Sequence, residues 1–392
     1  MGQNDLLSLS LYSFLASNRT GVFVVYFPLF MVDQKGATVP VALAFLSAAF
    51  VFGSLIGPLA GRWSDRVGRR RPFLLGGELA ALPLFLVVAV VPGYLLAGSV
   101  FVVAMVVLSV GSPAYSAYIA DLSKERERGA GYGLLNAASS GGSILGFVAT
   151  AFLISWYGYE SLFPFVSAAM VGTVVVVLFL VPDRSVTPGL VRQSWASYRP
   201  LLTFSLLVSI RSLGAGAVGT FVGVLAFELG AAPWQIAIVA ISGLLTGLLV
   251  SIPLGRYVDR SGEIRAIWYG TLITLGATTI FLFATSWPQL LPAQVIRYAG
   301  FGLLSTGMLA YVANRALPGH RAEDLGVFSL VNSTLWSVGP LAGGVALELA
   351  GNVGLFAFAL GTTVVSLVAI ELVYLTRGPA ARAPGGRPPT SA

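Results

Sequence analysis

The sequence contains no cysteine and little charge. It has 392 residues, and without cysteine neither disulfides nor thiolate metal sites can form. Only 10% of the residues are charged, against roughly 25% in soluble domains. The first ten residues, MGQNDLLSLS, also lack the basic start and small-residue cleavage site of a secretory signal. We therefore expect the first apolar stretch to be retained as a helix.

Catalytic and nucleotide-binding motifs are missing as well. The sequence shows no glycine-rich phosphate loop, no cluster of metal ligands and no nucleophile with an adjacent base. We therefore expect neither an enzyme nor an ATP-driven pump, and we expect no cofactor and no metal.

Long apolar stretches dominate what is present. Hydrophobic residues make up 56% of the chain, and the mean hydropathy is +0.85. A membrane helix needs about 20 mostly apolar residues. The predicted fold class is an all-α integral membrane protein that crosses the lipid bilayer twelve times. The predicted spans are 6–32, 41–60, 73–91, 95–120, 130–154, 160–182, 200–228, 234–254, 266–286, 288–313, 324–349 and 353–376.

A polar stretch divides the twelve spans into two groups of six. The segment 183–199, DRSVTPGLVRQSWASYR, is the longest polar stretch between spans. The predicted units are an N-terminal six-helix bundle (1–182), a cytoplasmic linker (183–199), a C-terminal six-helix bundle (200–376) and a cytoplasmic tail (377–392). The tail is rich in proline, glycine and arginine, and we expect it to be disordered.

The two groups of spans resemble each other. GRWSDRVGRRR at 61–71 recurs as GRYVDRSGEIR at 255–265, and Arg19 in the first span has a counterpart in Arg211 in the seventh. Two further matches join 118–121 to 311–314 and 134–136 to 330–332. The spacing of the four matches is nearly constant, which predicts a duplicated six-helix unit of the kind found in many secondary transporters.

The basic residues indicate the orientation in the membrane. Of 23 lysines and arginines, 19 lie in the gaps after spans 2, 4, 6, 8 and 10 or in the tail, whereas the opposite gaps hold only Lys35. By the positive-inside rule, both termini and the linker are expected to be cytoplasmic, in a protein of the cell membrane. Topology thus explains most of the positive charge, and we expect no nucleic-acid partner.

The arginine-rich gap carries a family resemblance. G-x-x-x-D-R-x-G-R-R-R after span 2, together with twelve spans arranged as six plus six, resembles the major facilitator superfamily, and within it the drug and sugar efflux-type members. The resemblance implies two pseudo-symmetric six-helix bundles that work by alternating access. The residues that match the signature loop are Gly61, Asp65, Arg66, Gly68, Arg69 and Arg70.

The resemblance also implies that this loop is a conformational latch on the cytoplasmic side. Asp65 could sit at the positive N-terminus of a helix in the other half. Arg69 or Arg70 could pair with Asp121 at the end of span 4. The alternative is a loop whose arginines only set the orientation.

Three arginines are left that topology does not explain. Arg19, Arg211 and Arg297 lie near the middle of spans 1, 7 and 10, where each costs about 2.5–3.5 kcal/mol. Such residues normally face a water-filled cavity or a partner charge. Because Arg19 and Arg211 are pseudo-symmetric, they are predicted to face each other across a central cavity and to bind a carboxylate or phosphate. Alternatively, each arginine bonds structural groups such as Glu78.

Polar and aromatic residues of neighbouring spans complete the predicted substrate site. These residues are Tyr26, Tyr115, Tyr118, Asn136, Asn332 and Trp336; alternatively, they hold the helices together. Glu78 is the one acidic residue clearly inside a span. It is a candidate for proton coupling, or else one partner of a salt bridge near the cytoplasmic interface.

The predicted function is secondary active transport of a small molecule by a monomer, as an antiporter or symporter with protons as a possible coupling ion. The first substrate class is a small organic anion or an acidic amphiphile, because three arginines lie within the spans. The alternative is a proton-coupled exporter of drugs or sugars.

Overall fold

The structure of the protein is a computed structural model that describes residues 3–112, 114–115, 128–181, 195–315 and 321–372. The regular elements in these ranges are helices, as the sequence predicts. They are α1 (Gln3–Asp33), α2 (Val39–Val67), α3 (Arg71–Val90), α4 (Tyr94–Ser109), α5 (Arg128–Tyr157), α6 (Leu162–Phe179), α7 (Trp195–Glu228), α8 (Pro233–Ser261), α9 (Glu263–Leu282), α10 (Leu290–Arg315) and α11 (Arg321–Ile370). Short 3-10 turns at Tyr159–Ser161 and Trp287–Gln289 precede α6 and α10.

The longest helix, α11, is broken near its middle. Ala350 has φ −145° and Gly351 has φ 61°, so the backbone leaves the helical conformation at these two residues. The positive φ suits glycine, which has no Cβ to clash. The break separates a first arm (321–349) from a second arm (352–370), and these arms correspond to predicted spans 11 and 12.

The count of spans agrees with the prediction. Within the described ranges, ten helices are long and apolar enough to cross a membrane, and Tyr94–Ser109 is a shorter apolar helix. Since α11 supplies two of the predicted spans, the helices account for all twelve.

Several boundaries differ from the prediction; for example, the eighth span was expected to end at residue 254, but α8 continues to Ser261. The second span was expected to end at residue 60, but α2 continues to Val67 and reduces the arginine-rich gap to a turn of three residues. Gly68 ends α2 with φ 68°, and its N–H donates to the Ser64 carbonyl at 3.0 Å. In addition, α7 begins at Trp195, inside the predicted linker. The predicted tail 377–392 lies outside the described residues.

Helix packing repeats between the two halves. A Cβ on Gly142 of α5 would collide with the Phe14 carbonyl oxygen of α1. Likewise, a Cβ on Gly339 of α11 would collide with the Leu213 carbonyl oxygen of α7. Small residues at such positions allow helix backbones to approach closely in membranes. The duplication read from the sequence is therefore visible in how α5 packs on α1 and α11 on α7.

The two halves contact each other toward the end of the molecule that carries the turn at residues 34–38, which we call the Lys35 end. A Cβ on Gly223 of α7 would lie 2.8 Å from Val25 of α1, and a Cβ on Gly344 of α11 would lie 3.3 Å from Pro40 of α2. The opposite end, which carries the turn at residues 68–70, is called the arginine-rich end.

Candidate functional site

A cavity lies between the two halves. Its volume is about 250 Å³, close to the lower end of the roughly 300–1,000 Å³ that is usual for small-molecule sites. The N-terminal half contributes α1 and α5, and the C-terminal half contributes α7, α8, α10 and α11. Most of the lining is aliphatic or aromatic. The lining side chains that carry polar atoms are Ser143, Gln294, Arg297, Tyr298 and Trp336.

Arg297 is the charged residue of the cavity lining. Its Nε donates to Gln294 Oε1 at 2.7 Å, and its guanidinium lies 4.8 Å from the centre of the Tyr298 ring. Within the described ranges, no carboxylate forms an ion pair with Arg297. The site therefore offers an apolar, aromatic wall with one positive charge.

Glycine leaves room beside this charge. A Cβ on Gly219 of α7 would lie 3.7 Å from Arg297 Nη1 and 3.9 Å from the Trp336 ring. Those contacts are ordinary in length, so the absence of a side chain at Gly219 opens the space between Arg297 and Trp336.

Arg19 lies elsewhere, and its sequence-based placement needs correction. It forms a two-pronged ion pair with Glu78 of α3, with Nη1 2.6 Å from Oε2 and Nη2 2.5 Å from Oε1. The Tyr12 hydroxyl donates to Glu78 Oε1 at 3.4 Å. Arg19 and Glu78 are 5% and 2% exposed, and neither lines the cavity. The expected opposition of Arg19 and Arg211 is not formed here, because the buried guanidinium is stabilised by a carboxylate of its own half.

Arg211 is also outside the cavity lining. It is 3% exposed, its Nη2 lies 4.0 Å from the Met308 sulfur, and its Nε has no hydrogen-bond partner in the part of the chain that the structure describes. The neighbouring Ser212 hydroxyl and the Asn332 side-chain oxygen are 2.7 Å apart and join α7 to α11. The predicted residue Asn332 therefore contacts α7 rather than the cavity.

The remaining predicted site residues have separate locations. Trp336 lines the cavity and packs edge-on against Phe50, with ring centroids 5.3 Å apart. The Tyr26 hydroxyl donates to the Pro233 carbonyl at 3.0 Å, near the Lys35 end. Tyr115 packs on Tyr12, 4.9 Å between ring centroids. Tyr118 and the side chain of Asn136 lie outside the described residues.

Comparison with known proteins agrees with this architecture. The sequence profile described as Major Facilitator Superfamily matches residues 9–212 and again residues 204–391, which together cover nearly the whole chain. The chain belongs to the major facilitator superfamily. It is therefore a multi-pass membrane protein and a secondary transporter of small molecules, not an enzyme.

Individual relatives within and around this superfamily give further context. Multidrug resistance protein 2 of Bacillus subtilis (strain 168) is 27% identical over 366 residues, 86% of this chain and 87% of the relative. Quinolone resistance protein NorA of Staphylococcus aureus (strain MSSA476) is 23% identical over 396 residues, 91% and 96% of the two chains. The crystal structure of the nucleoside transporter NupG superposes with a TM-score of 0.74 at 15% identity, covering 94% of this chain and 98% of that one, so the likeness is one of fold.

The loop that resembles the superfamily signature is only partly described. Arg70 is buried, and its Nη1 donates to Ser64 Oγ at 3.1 Å. Arg66 and Arg69 are exposed, and Gly61 lies in the last turns of α2. The side chain of Asp65 and the whole of Asp121 lie outside the described residues, so the latch contact stays a prediction.

The second half of this superfamily member carries a contact at the matching place. Asn314 Nδ2 donates to Glu263 Oε1 at 2.7 Å, which joins the end of α10 to the start of α9. Through the internal repeat, Glu263 corresponds to Arg69 and Asn314 to Asp121. Two positions that the sequence predicts to meet in the first half therefore do meet, with different side chains, in the second.

Sequence reasoning did not include Tyr298 and Gly219 in the site. Tyr298 follows Arg297 directly, and Gly219 lies two turns beyond Arg211 on the same face of α7. A helical-face analysis of α7 and α10 around the buried arginines would have found both.

Proposed function

We propose that this transporter exports amphipathic, largely aromatic drug-like compounds. The observation that carries the proposal is the cavity itself, with its aromatic and aliphatic wall and a single guanidinium from Arg297. The names of the relatives from Bacillus and Staphylococcus, which refer to resistance against several drugs and against quinolones, support the same class of cargo and the outward direction.

A small organic anion, the first expectation from the sequence, is less well supported. That expectation relied on three arginines within the spans, two of them opposed, but Glu78 neutralises Arg19. An apolar cavity gains binding free energy from burying apolar surface of the cargo. Arg297 then favours neutral or acidic compounds over cations, because like charges repel in a water-poor site.

Transport requires the contacts at the Lys35 end to open. In this structure α7 meets α1 at Gly223 and α11 meets α2 at Gly344. The distribution of basic residues, which also predicts cytoplasmic termini, supports an orientation with the Lys35 end outside the cell and the arginine-rich end in the cytoplasm. Cargo would then enter from the arginine-rich end and leave after these contacts separate.

Proton coupling through Glu78 stays a prediction. The carboxylate is held by both Nη atoms of Arg19, so protonation would leave a buried guanidinium without its partner. The pair would have to separate or admit water before Glu78 could take up a proton.

Flux measurements in proteoliposomes test the proposed function. The purified full chain would be reconstituted with a pH gradient and given a fluorescent aromatic carboxylate, its neutral methyl ester and a cationic analogue. We expect transport of the acid and the ester, and loss of that transport in Trp336→Ala. Trp156→Ala is the matched control, because Trp156 is 74% exposed on α5, away from the cavity. Absence of flux for all three compounds, or equal flux in the two tryptophan variants, would contradict the proposal.

A further inference from the structure

Arg211 is a buried cation whose charge the described structure leaves unbalanced. Among the described residues, its only side-chain contact of hydrogen-bond type is with the Met308 sulfur at 4.0 Å, and its Nε has no partner there. Within the described ranges, no carboxylate forms an ion pair with it. Arginine does not lose its proton in proteins, so this site cannot become neutral by itself.

The internal repeat shows what is missing beside Arg211. Its counterpart, Arg19, is bound by Glu78 of α3. At an offset of 193 residues, the one that relates 118–121 to 311–314, the counterpart of Glu78 is Thr271 of α9. Thr271 is fully buried and bonds the Ile267 carbonyl in its own helix.

Glycine packing confirms that α3 and α9 are aligned correctly. Gly77, next to Glu78, packs against the α4 backbone near Gly111, and Gly270, next to Thr271, packs against the α10 backbone near Leu304. The two halves therefore use the same helix faces at this level. The first half supplies an acid to its arginine, and the second half supplies a threonine.

We propose that the Arg211 site binds a compact anionic group that comes from outside the chain. A buried guanidinium is costly without a partner, and a carboxylate or a small inorganic anion would supply at Arg211 what Glu78 supplies at Arg19. The ligand is the acidic group of a transported compound or a free anion such as chloride. Only the first of these sources rests on the proposed function.

The location of Arg211 connects this site to the cavity. Arg211, Ala215 and Gly219 follow at four-residue intervals and share one face of α7, and the latter two line the cavity. Gly219 lies beside Arg297. At 1.5 Å per residue, Arg211 is about 12 Å from that level, toward the arginine-rich end. It is therefore placed to hold an acidic group on the way to Arg297.

Thermal unfolding of the purified full chain tests the inference. The unfolding midpoint would be followed by tryptophan fluorescence while sodium chloride replaces sodium gluconate at constant ionic strength, and separately while benzoate replaces gluconate. Gluconate serves as the reference anion, because burying its five hydroxyl groups without hydrogen-bond partners is costly. We expect a saturable rise of roughly 2–5 °C with chloride, benzoate or both. The rise should vanish in Arg211→Gln and persist in Arg265→Gln, the matched control, which removes an exposed arginine of α9.

A second variant tests the inference by supplying the missing acid. Thr271→Glu places a carboxylate at the position that corresponds to Glu78. We expect Thr271→Glu to lose the anion-dependent rise, as Arg211→Gln does, although Arg211 is still present. In gluconate alone, Arg211→Gln should be at least as stable as the natural protein, because it removes an unbalanced buried charge.

The outcomes separate this inference from the proposed function. A response to chloride identifies a free anion, whereas a response to benzoate alone, with none to methyl benzoate, identifies the acidic group of a cargo. An unchanged rise in Arg211→Gln, an equal loss of the rise in Arg265→Gln, or no rise in any protein overturns the inference. If the rise depends on Arg211 but proteoliposomes show no flux, the anion site stands and the proposed function fails.

Discussion

Arg19 of α1 and Glu78 of α3 form a two-pronged ion pair inside the N-terminal half, with N–O distances of 2.6 and 2.5 Å. The pair is almost completely buried and links two helices that are far apart in sequence. Its counterpart in the other half, Arg211, has no such acid among the described residues. The duplicated halves therefore handle the same buried arginine in two different ways, and this difference can be tested.

Removing one member of the pair should cost more stability than removing both. Either Arg19→Met or Glu78→Leu leaves one buried charge unpaired, and each should lower the free energy of unfolding by about 3–5 kcal/mol. The double variant replaces the pair with apolar side chains and should recover much of the loss. Thermal unfolding of the four proteins in one detergent measures the coupling. If the loss of stability in the double variant equalled the sum of the losses in the two single variants, Arg19 and Glu78 would not be coupled in stabilising the protein.

The topology could be predicted from the sequence, because it depends on properties of consecutive stretches of the chain. Apolar length defines each span, and the arginines of 61–71 and their echo at 255–265 reveal the repeat. The partner of each buried arginine could not be predicted in this way. Whether Arg19 points to Arg211 or to Glu78 depends on the rotation of α1 about its axis, which tight packing against α5 at Gly142 sets. The same limitation applies to Tyr26, which bonds Pro233 instead of lining the cavity.

Arg297 should discriminate between acidic and neutral cargo. Hydrogen bonds to charged groups contribute about 1.5–3 kcal/mol, so Arg297→Gln should weaken binding of an aromatic carboxylate by roughly 10- to 100-fold. The methyl ester should lose much less, because the apolar wall of the cavity is unchanged. Titration of both compounds by quenching of tryptophan fluorescence measures the two affinities. Equal losses for acid and ester would show that Arg297 does not contact the acidic group.

Gly223 should control closure at the Lys35 end. A Cβ there would lie 2.8 Å from Val25 Cγ1 and 3.1 Å from its carbonyl oxygen, so Gly223→Leu should separate α7 from α1 and favour opening at this end. Because the chain has no cysteine, Gln34→Cys and Thr285→Cys allow spin labels at two exposed positions. Pulsed electron resonance should then show a population with a longer distance.

The control for this experiment is a glycine without neighbours. No described residue lies within 4 Å of where a Cβ on Gly276 of α9 would be, so Gly276→Leu should leave the distance between the labels unchanged. If Gly223→Leu gave the same distance distribution as Gly276→Leu, the contact with Val25 would not hold this end closed.

The predicted latch can be tested by copying the contact of the second half into the first. Glu263 and Asn314 are joined at 2.7 Å, and their counterparts are Arg69 and Asp121. Arg69→Glu alone would bring two carboxylates together, and their repulsion should favour opening of the arginine-rich end. Adding Asp121→Asn recreates a glutamate–asparagine pair that can form a hydrogen bond, so it should restore closure and transport.

Arg66→Glu is the matched control, because it makes the same charge change at another exposed arginine of this region and has no acidic counterpart assigned to it. Initial rates of dye export in proteoliposomes would be compared for the natural protein, the two single variants of the latch, the double variant and this control. A direct contact requires that Asp121→Asn raises the export rate of the Arg69→Glu variant by more than it raises the export rate of the natural protein. If Arg69→Glu and Arg66→Glu reduced transport equally, and Asp121→Asn rescued neither, the loop would act only through its charge, and its arginines would set orientation without forming a latch.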